Sequence, residues 1–214
     1  MGKQVRTSVP NVRSGEKSKC KLGIVWVDLT GPEAVESASH MQYLMNVVDD
    51  HSSYPWTFPL HHKLDALPVL QSWAKRTEAQ CGEKVGIFRL DGGELDSNTM
   101  RNWCDGNGYE LQLTTAYTST HIGHVERMHH TIMDRMRAIR LQTGLPPNRW
   151  DELAVTASYL SARTPTRSLG KTPYEVWFGE KLDLSHLREI SCRAFILIQG
   201  KNNPKIMPVH MNAC

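Results

Sequence analysis

The sequence is short of several things, and each shortage removes a class of protein. It has 5 cysteines, an odd number, scattered at 20, 81, 104, 192 and 214 with no CxxC pair. That spacing supports neither a disulfide framework nor a structural zinc site, and it makes a reducing compartment the default. No apolar run approaches the roughly 20 residues that a membrane helix needs. The longest buried-looking stretches, Leu22–Leu29 and Ala194–Ile198, are strand-sized. The basic opening MGKQVRTSVP has no apolar block behind it and is expected to be no signal peptide. Arg6 stands where a myristoylation signal needs Ser or Thr. There is no internal repeat and no low-complexity tract.

What is present is ordinary in bulk. The 214 residues are 40% hydrophobic and 22% charged, which argues against wholesale disorder and for one full domain with extra elements. The net charge is only +3, but it is unevenly spread. Lys3, Arg6, Arg13, Lys17, Lys19 and Lys21 face one acid, Glu16, in the first 21 residues. A basic arm on a near-neutral body is compatible with a polyanion partner, but taken alone it reads as a solvated tail.

Periodicity and turn signals then order the chain. Residues 1–20 read as an unstructured lead-in. Leu22–Leu29, His40–Val48 and Ser53–Phe58 read as three strands with short polar joins, as antiparallel hairpins require. A helix is expected over Asp65–Gln80, a fourth strand at Val85–Leu90, a short helix near Ser97–Asp105 and a fifth strand at Glu110–Thr114. A loop at Thr115–Gly123 leads into a strongly patterned helix, His124–Gln142. Another helix follows at Arg149–Ser161, then a turn-rich stretch at Gly170–Gly179 and a last strand at Arg193–Ile198. This is an α/β pattern: a mixed sheet with helices on both faces.

Two carboxylates sit at the ends of apolar strands, Asp28 in VWVDLTGP and Asp91 in GIFRLDGGE. Burying a carboxylate costs solvation energy unless something pairs with it. Taken singly, either aspartate reads as a turn residue. Taken together, on adjacent parallel strands, they would share one crevice. On the patterned helix, Val125, Met128, Ile132, Met136 and Ile139 form a stripe for the sheet. Glu126, His130, Met133, Arg137 and Arg140 form the next stripe, so Glu126 lies beside the buried face in the first turn. Three carboxylates on one crevice make a hard-oxygen site, suited to Mg²⁺ or Mn²⁺ and not to zinc. Two such ions about 4 Å apart serve phosphodiester displacement.

Rival features are weaker. Glu126-x-x-His129 has the spacing of di-iron ligands, but the chain has no second copy, and HExxH is absent. The histidines around Glu126 read mostly as surface or loop residues, with His121 a candidate for a loop at the site. Asp49 and Asp50 read as turn residues, His61, His62 and Arg76 as solvated surface. Trp73, Trp103, Trp150 and Trp177 read as core.

The blocks VWVDLTGP, LMNVVDDHS, GIFRLDGGELDS, TTAYTSTHIGHVERMHHTI, GLPPNRWDELAVTASYL, GKTPYEVWFG and SHLREISCRAF carry a resemblance. In this order they resemble the integrase core of copia-type long-terminal-repeat retrotransposons, from Leu22 to Ile198. AYTxxxxGxxER and GKTPYExWFG are the most specific of them. The resemblance implies an RNase H-like fold with a five-stranded mixed sheet flanked by helices. It implies a catalytic and metal-binding trio of Asp28, Asp91 and Glu126 that holds two Mg²⁺ or Mn²⁺ ions. It implies 3′-end processing of element DNA and its joining to target DNA, DNA as partner, a homo-oligomer, and action in the nucleus after a cytoplasmic phase. No organic cofactor and no membrane are expected. His121, His130, Arg137 and Arg140 are the candidate nucleic-acid contacts.

Two departures stand out. Here 34 residues lie between Asp91 and Glu126, where the family keeps about 35, and Asp91-Gly92-Gly93-Glu94 is one residue short of the usual turn. The family's zinc-binding domain is also expected to be missing. The expected organisation is a basic lead-in at 1–20, the catalytic core at 21–165 and a truncated extension at 166–214. The alternative is a decayed or co-opted fragment that only binds nucleic acid.

Overall fold

The computed structural model describes residues 17–91, 95–114, 119–166 and 169–192, with the backbone alone at 91, 114 and 119–127. Five strands make one mixed sheet: β1 (Ile24–Thr30), β2 (Tyr43–Asp49), β3 (Pro55–Leu60), β4 (Ile87–Asp91) and β5 (Glu110–Thr114). Their spatial order is β3-β2-β1-β4-β5. β1 pairs antiparallel with β2, and β2 with β3, as the short joins predict. β1 pairs parallel with β4, and β4 with β5, across longer connections that contain α1 (Ala66–Cys81) and α2 (Asn98–Asn107). Then come α3 (Ser119–Thr143), α4 (Trp150–Ala162) and the short α5 (Pro173–Phe178).

Alternation along the strands sends residues to two cores. Val25, Val27 and Leu29 of β1 join Met45 and Val47 of β2, Phe88 and Leu90 of β4, and Leu70, Trp73 and Met100 of α1 and α2. On the opposite face Leu44 packs with Ile132 and Met136 of α3 and with Leu153, Ala154 and Ala157 of α4. Trp26 and Val48 pack there with Met128. Each side chain buried at this level contributes roughly 1.5–3 kcal/mol. From Met128 to Ile139 the predicted stripe on α3 is therefore the face that meets the sheet, and the side chain of Val125 lies outside the described residues. Trp73, Trp150 and Trp177 are buried, and Trp103 packs half-buried against the main core.

Four expectations need correction. β1 continues to Thr30, so Asp28 lies inside the strand and does not close it. β3 runs through Pro59, because an edge strand tolerates a residue without an N–H. α3 starts at Ser119, inside the expected loop, since a helix absorbs the single Gly123 at a cost of about 1 kcal/mol. The stretch expected to be turns holds α5: Thr172 caps it, accepting from the Glu175 amide at 3.1 Å, while Glu175 accepts from the Thr172 amide at 2.9 Å. The strand expected at 193–198 lies outside the described residues.

The β2–β3 turn does more than reverse the chain. Asp49 and Asp50 are fully buried. Asp49 accepts from the amides of Leu22 at 2.8 Å and Ser52 at 2.7 Å. Asp50 accepts from the Ser18 amide at 2.7 Å and from Trp26 Nε1 at 2.9 Å. The pair thus ties the segment before β1 to the sheet. Burial raises the Asp49 carboxyl above its ordinary value, against the pull of its Ser52 and Leu22 bonds.

Candidate active site

The register of the parallel pair is set at its start. Gly86 N–H donates to Leu22 O at 2.9 Å and Ile87 N–H to Gly23 O at 3.2 Å. A Cβ on Gly86 would lie 2.8 Å from Gly23 O, so only glycine permits this approach. From there Ile24 pairs with Ile87, Val25 with Phe88, Trp26 with Arg89 and Val27 with Leu90. The pairing ends there, and Asp28 and Asp91 are the next residue on each strand. The condition set by the sequence, two aspartates on neighbouring parallel strands, is met by the backbone.

The level of Asp28 continues across the sheet. Asp28 pairs with Asn46 of β2, and Asn46 with Thr57 of β3. Thr57 Oγ1 donates to Asn46 Oδ1 at 2.8 Å. Asn46 Nδ2 meets Nδ1 of His129, on α3, at 3.0 Å. The same ring nitrogen lies 3.5 Å from Asp28 Oδ2. Asp28 is 23% exposed and His129 16%, so the carboxylate sits at the edge of solvent with a hydrogen-bonded wall behind it. One pleat below, the Arg89 guanidinium stacks 5.0 Å over the Trp26 ring and donates to Gln112 Oε1 at 2.7 Å.

Glu126 belongs to α3, three residues before His129, hence within one turn of it along the helix axis. The side chains of Asp91, Glu126 and His121 lie outside the described residues. Among the described residues no group of three or more His, Cys, Asp or Glu side chains gathers as a metal site. Asp28, the one carboxylate of the expected trio whose side chain is described, is a partly exposed hard-oxygen donor of the kind that Mg²⁺ or Mn²⁺ takes. His130 and Arg137 are exposed on α3 and Arg140 is half-buried. Arg137 donates to Asp134 at 2.9 Å.

Asn46, Thr57 and His129 were not legible as site residues. An Asn inside LMNVVD is the one signal that could have found them, since asparagine is depleted in strands. His129 is half-buried against Asn46 and is not the surface histidine that the sequence suggests.

No family model matches the chain. Individual proteins and solved structures do match it. The chain is 32% identical over 207 residues to the "Retrovirus-related Pol polyprotein from transposon TNT 1-94" of Nicotiana tabacum. That match covers 96% of this chain and 15% of the polyprotein, so the chain spans a small part of that relative's length. In fold it is similar to a chain of the simian T-cell lymphotropic virus intasome, solved with the PP2A regulatory subunit B56 gamma (TM-score 0.61, 16% identity, 78% of this chain and 58% of that one). It is also similar to the HTLV-2 integrase catalytic core domain solved with magnesium (TM-score 0.54, 16% identity, 72% and 95%). The strand order, the parallel β1–β4 pair and these neighbours define an RNase H-like fold of the integrase-core class. Within that class the chain belongs with the integrase region of the copia-type retrotransposon Pol polyproteins.

Proposed function

We propose that the chain is an integrase-type polynucleotidyl transferase that cuts DNA near its 3′ ends and joins those ends to target DNA. The observation that carries this reading is the parallel β1–β4 pair, on which Asp28 and Asp91 directly follow the last paired residues, Val27 and Leu90. Asp28 and Asp91 would hold two Mg²⁺ or Mn²⁺ ions, and Glu126 would hold one of them. Bound ions of this kind activate the attacking oxygen and neutralise the departing one in phosphodiester displacement. In the first step water attacks a phosphorus and the 3′ oxygen leaves, which frees a 3′-hydroxyl. In the second that hydroxyl attacks a target phosphorus, loses its proton, and displaces the target's 3′ oxygen. His121, His130, Arg137 and Arg140 contact the DNA backbone, so binding weakens as salt rises. The chain works as an oligomer on paired DNA ends, in the nucleus after a cytoplasmic phase.

The test is a disintegration assay on short branched DNA with Mn²⁺ and then Mg²⁺, with Asp91→Asn beside the unaltered chain. Metal-dependent product that vanishes in Asp91→Asn, with the fold unchanged by circular dichroism, is the expected result. An unchanged rate in Asp91→Asn overturns the assignment. No product, with salt-sensitive DNA binding retained, overturns the catalytic reading in favour of a nucleic-acid-binding remnant.

A further inference from the structure

Asn46 occupies a place where an amide has no obvious business. It is wholly buried at the middle of β2, with Leu44 and Val48 two residues to either side on the same face. Such a position suits valine or isoleucine, and an unpaired amide there is costly. The amide is paired at both ends. Thr57, its cross-strand partner, donates to Oδ1, and that bond turns Nδ2 toward α3, where it meets His129 Nδ1. Asp28 is the cross-strand partner on the other side, and its Oδ2 is the next neighbour of that ring nitrogen. Asn46 and Asp28, neighbours across β2 and β1, thus both meet the His129 ring of α3, and Thr57 braces Asn46 from outside.

We propose that Asn46, oriented by Thr57, is a positioning residue: its Nδ2 donates to His129 Nδ1 and sets that ring as a wall 3.5 Å from Asp28 Oδ2, which limits the rotamers of the carboxylate that would receive the divalent ion. This rests on the integrase reading and adds to it the device that restricts Asp28. A carboxylate so restricted binds an ion with less loss of side-chain freedom, and the effect of Asn46 reaches the ion only through His129.

The paired substitution Asn46→Val with Thr57→Val removes the hydrogen-bonded pair and leaves two strand-forming apolar residues. Mn²⁺ binding is read by calorimetry and joining by the disintegration assay, on the full chain. The paired variant is expected to bind Mn²⁺ several-fold more weakly and join at least ten-fold more slowly, at unchanged KM for the branched DNA. His129→Ala is expected to match that loss, and the paired variant made on top of His129→Ala to add less than two-fold, as coupled residues do. If the paired variant does not fold, Thr57→Val alone is expected to show a smaller loss of Mn²⁺ affinity, and Thr57→Ser, which keeps the hydroxyl, none. Wild-type Mn²⁺ binding in a folded paired variant, or equal losses with and without His129, overturns the positioning role. Asp28→Asn separates the two readings. If Asp28→Asn abolishes binding and the paired variant does not change it, only this proposal falls. If Asp28→Asn binds Mn²⁺ unchanged, or the wild type takes none, the integrase reading falls and this proposal with it.

Discussion

On one face of the sheet Val25, Val27, Met45, Val47, Phe88 and Leu90 meet α1 and α2 as a continuous aliphatic and aromatic surface. On the other, Trp26, Leu44 and Val48 share the strands with Asp28, Asn46 and Thr57. Both faces are covered by helices, yet mid-strand it is the second that, among the described residues, gives up apolar contact to polar side chains. The first face supplies the stability that lets the second carry groups that cost solvation energy.

That division can be broken first by swapping the damage. Phe88→Ala is expected to cost about 3–5 kcal/mol in chemical denaturation while leaving the joining rate per folded molecule unchanged. Asp28→Asn is expected to do the reverse, with activity lost and stability within about 1 kcal/mol. A Phe88→Ala chain that stays folded but joins slowly would show that the two faces are not separable. Next in size, Gly86→Ala forces a Cβ to 2.8 Å from Gly23 O and acts on the frame that both faces share. A loss of about 1–3 kcal/mol is expected, together with slower joining, because the register that leads to Asp28 and Asp91 starts from that contact.

Smaller effects lie away from the sheet. Thr172→Ala removes the cap of α5 and is expected to cost about 1 kcal/mol, seen as a lower denaturation midpoint with activity retained. Bonds from the Thr172 amide and hydroxyl hold the Glu175 carboxyl below its ordinary 4.5. A depressed carboxyl stabilises the fold above its unfolded value, and the contribution fades as pH falls through the folded one. The amides of Val176 and Gly179, bonded to Thr172 O and Glu175 O, are therefore expected to exchange faster near pH 3 than near pH 6 after correction for intrinsic rates. Glu175→Gln should reduce that difference. The site itself should not respond to any of these changes in α5.

The sequence was most informative where apolar period and length agree. β5 matches its expected bounds of Glu110–Thr114, and α1, α2 and α4 fall within about two residues of theirs. Local turn chemistry misled where a stronger signal shared the same residues. The glycines and proline of GKTPYEVWFG read as punctuation, although Thr172, Pro173 and Glu175 spell a helix start and Gly179 a stop. Asp28 and Asp91 were legible as a pair because both end apolar runs. The row from Thr57 through Asn46 to His129 was not, because it joins three elements 83 residues apart in sequence at its widest span. Only a settled register makes cross-strand neighbours of Asp28, Asn46 and Thr57.

The strand order carries a cost during synthesis. The ribosome releases β1, β2 and β3 within residues 24–60, but the neighbour that covers the other side of β1 arrives only at residues 87–91. Until then the nascent chain presents IVWVDLT, a β-rich segment with one charge, as a bare edge that other chains can extend. Any ribosome stalled between those points releases a sticky three-stranded fragment, so the yield of intact protein should rise with a holding chaperone and fall with slow codons placed across α1.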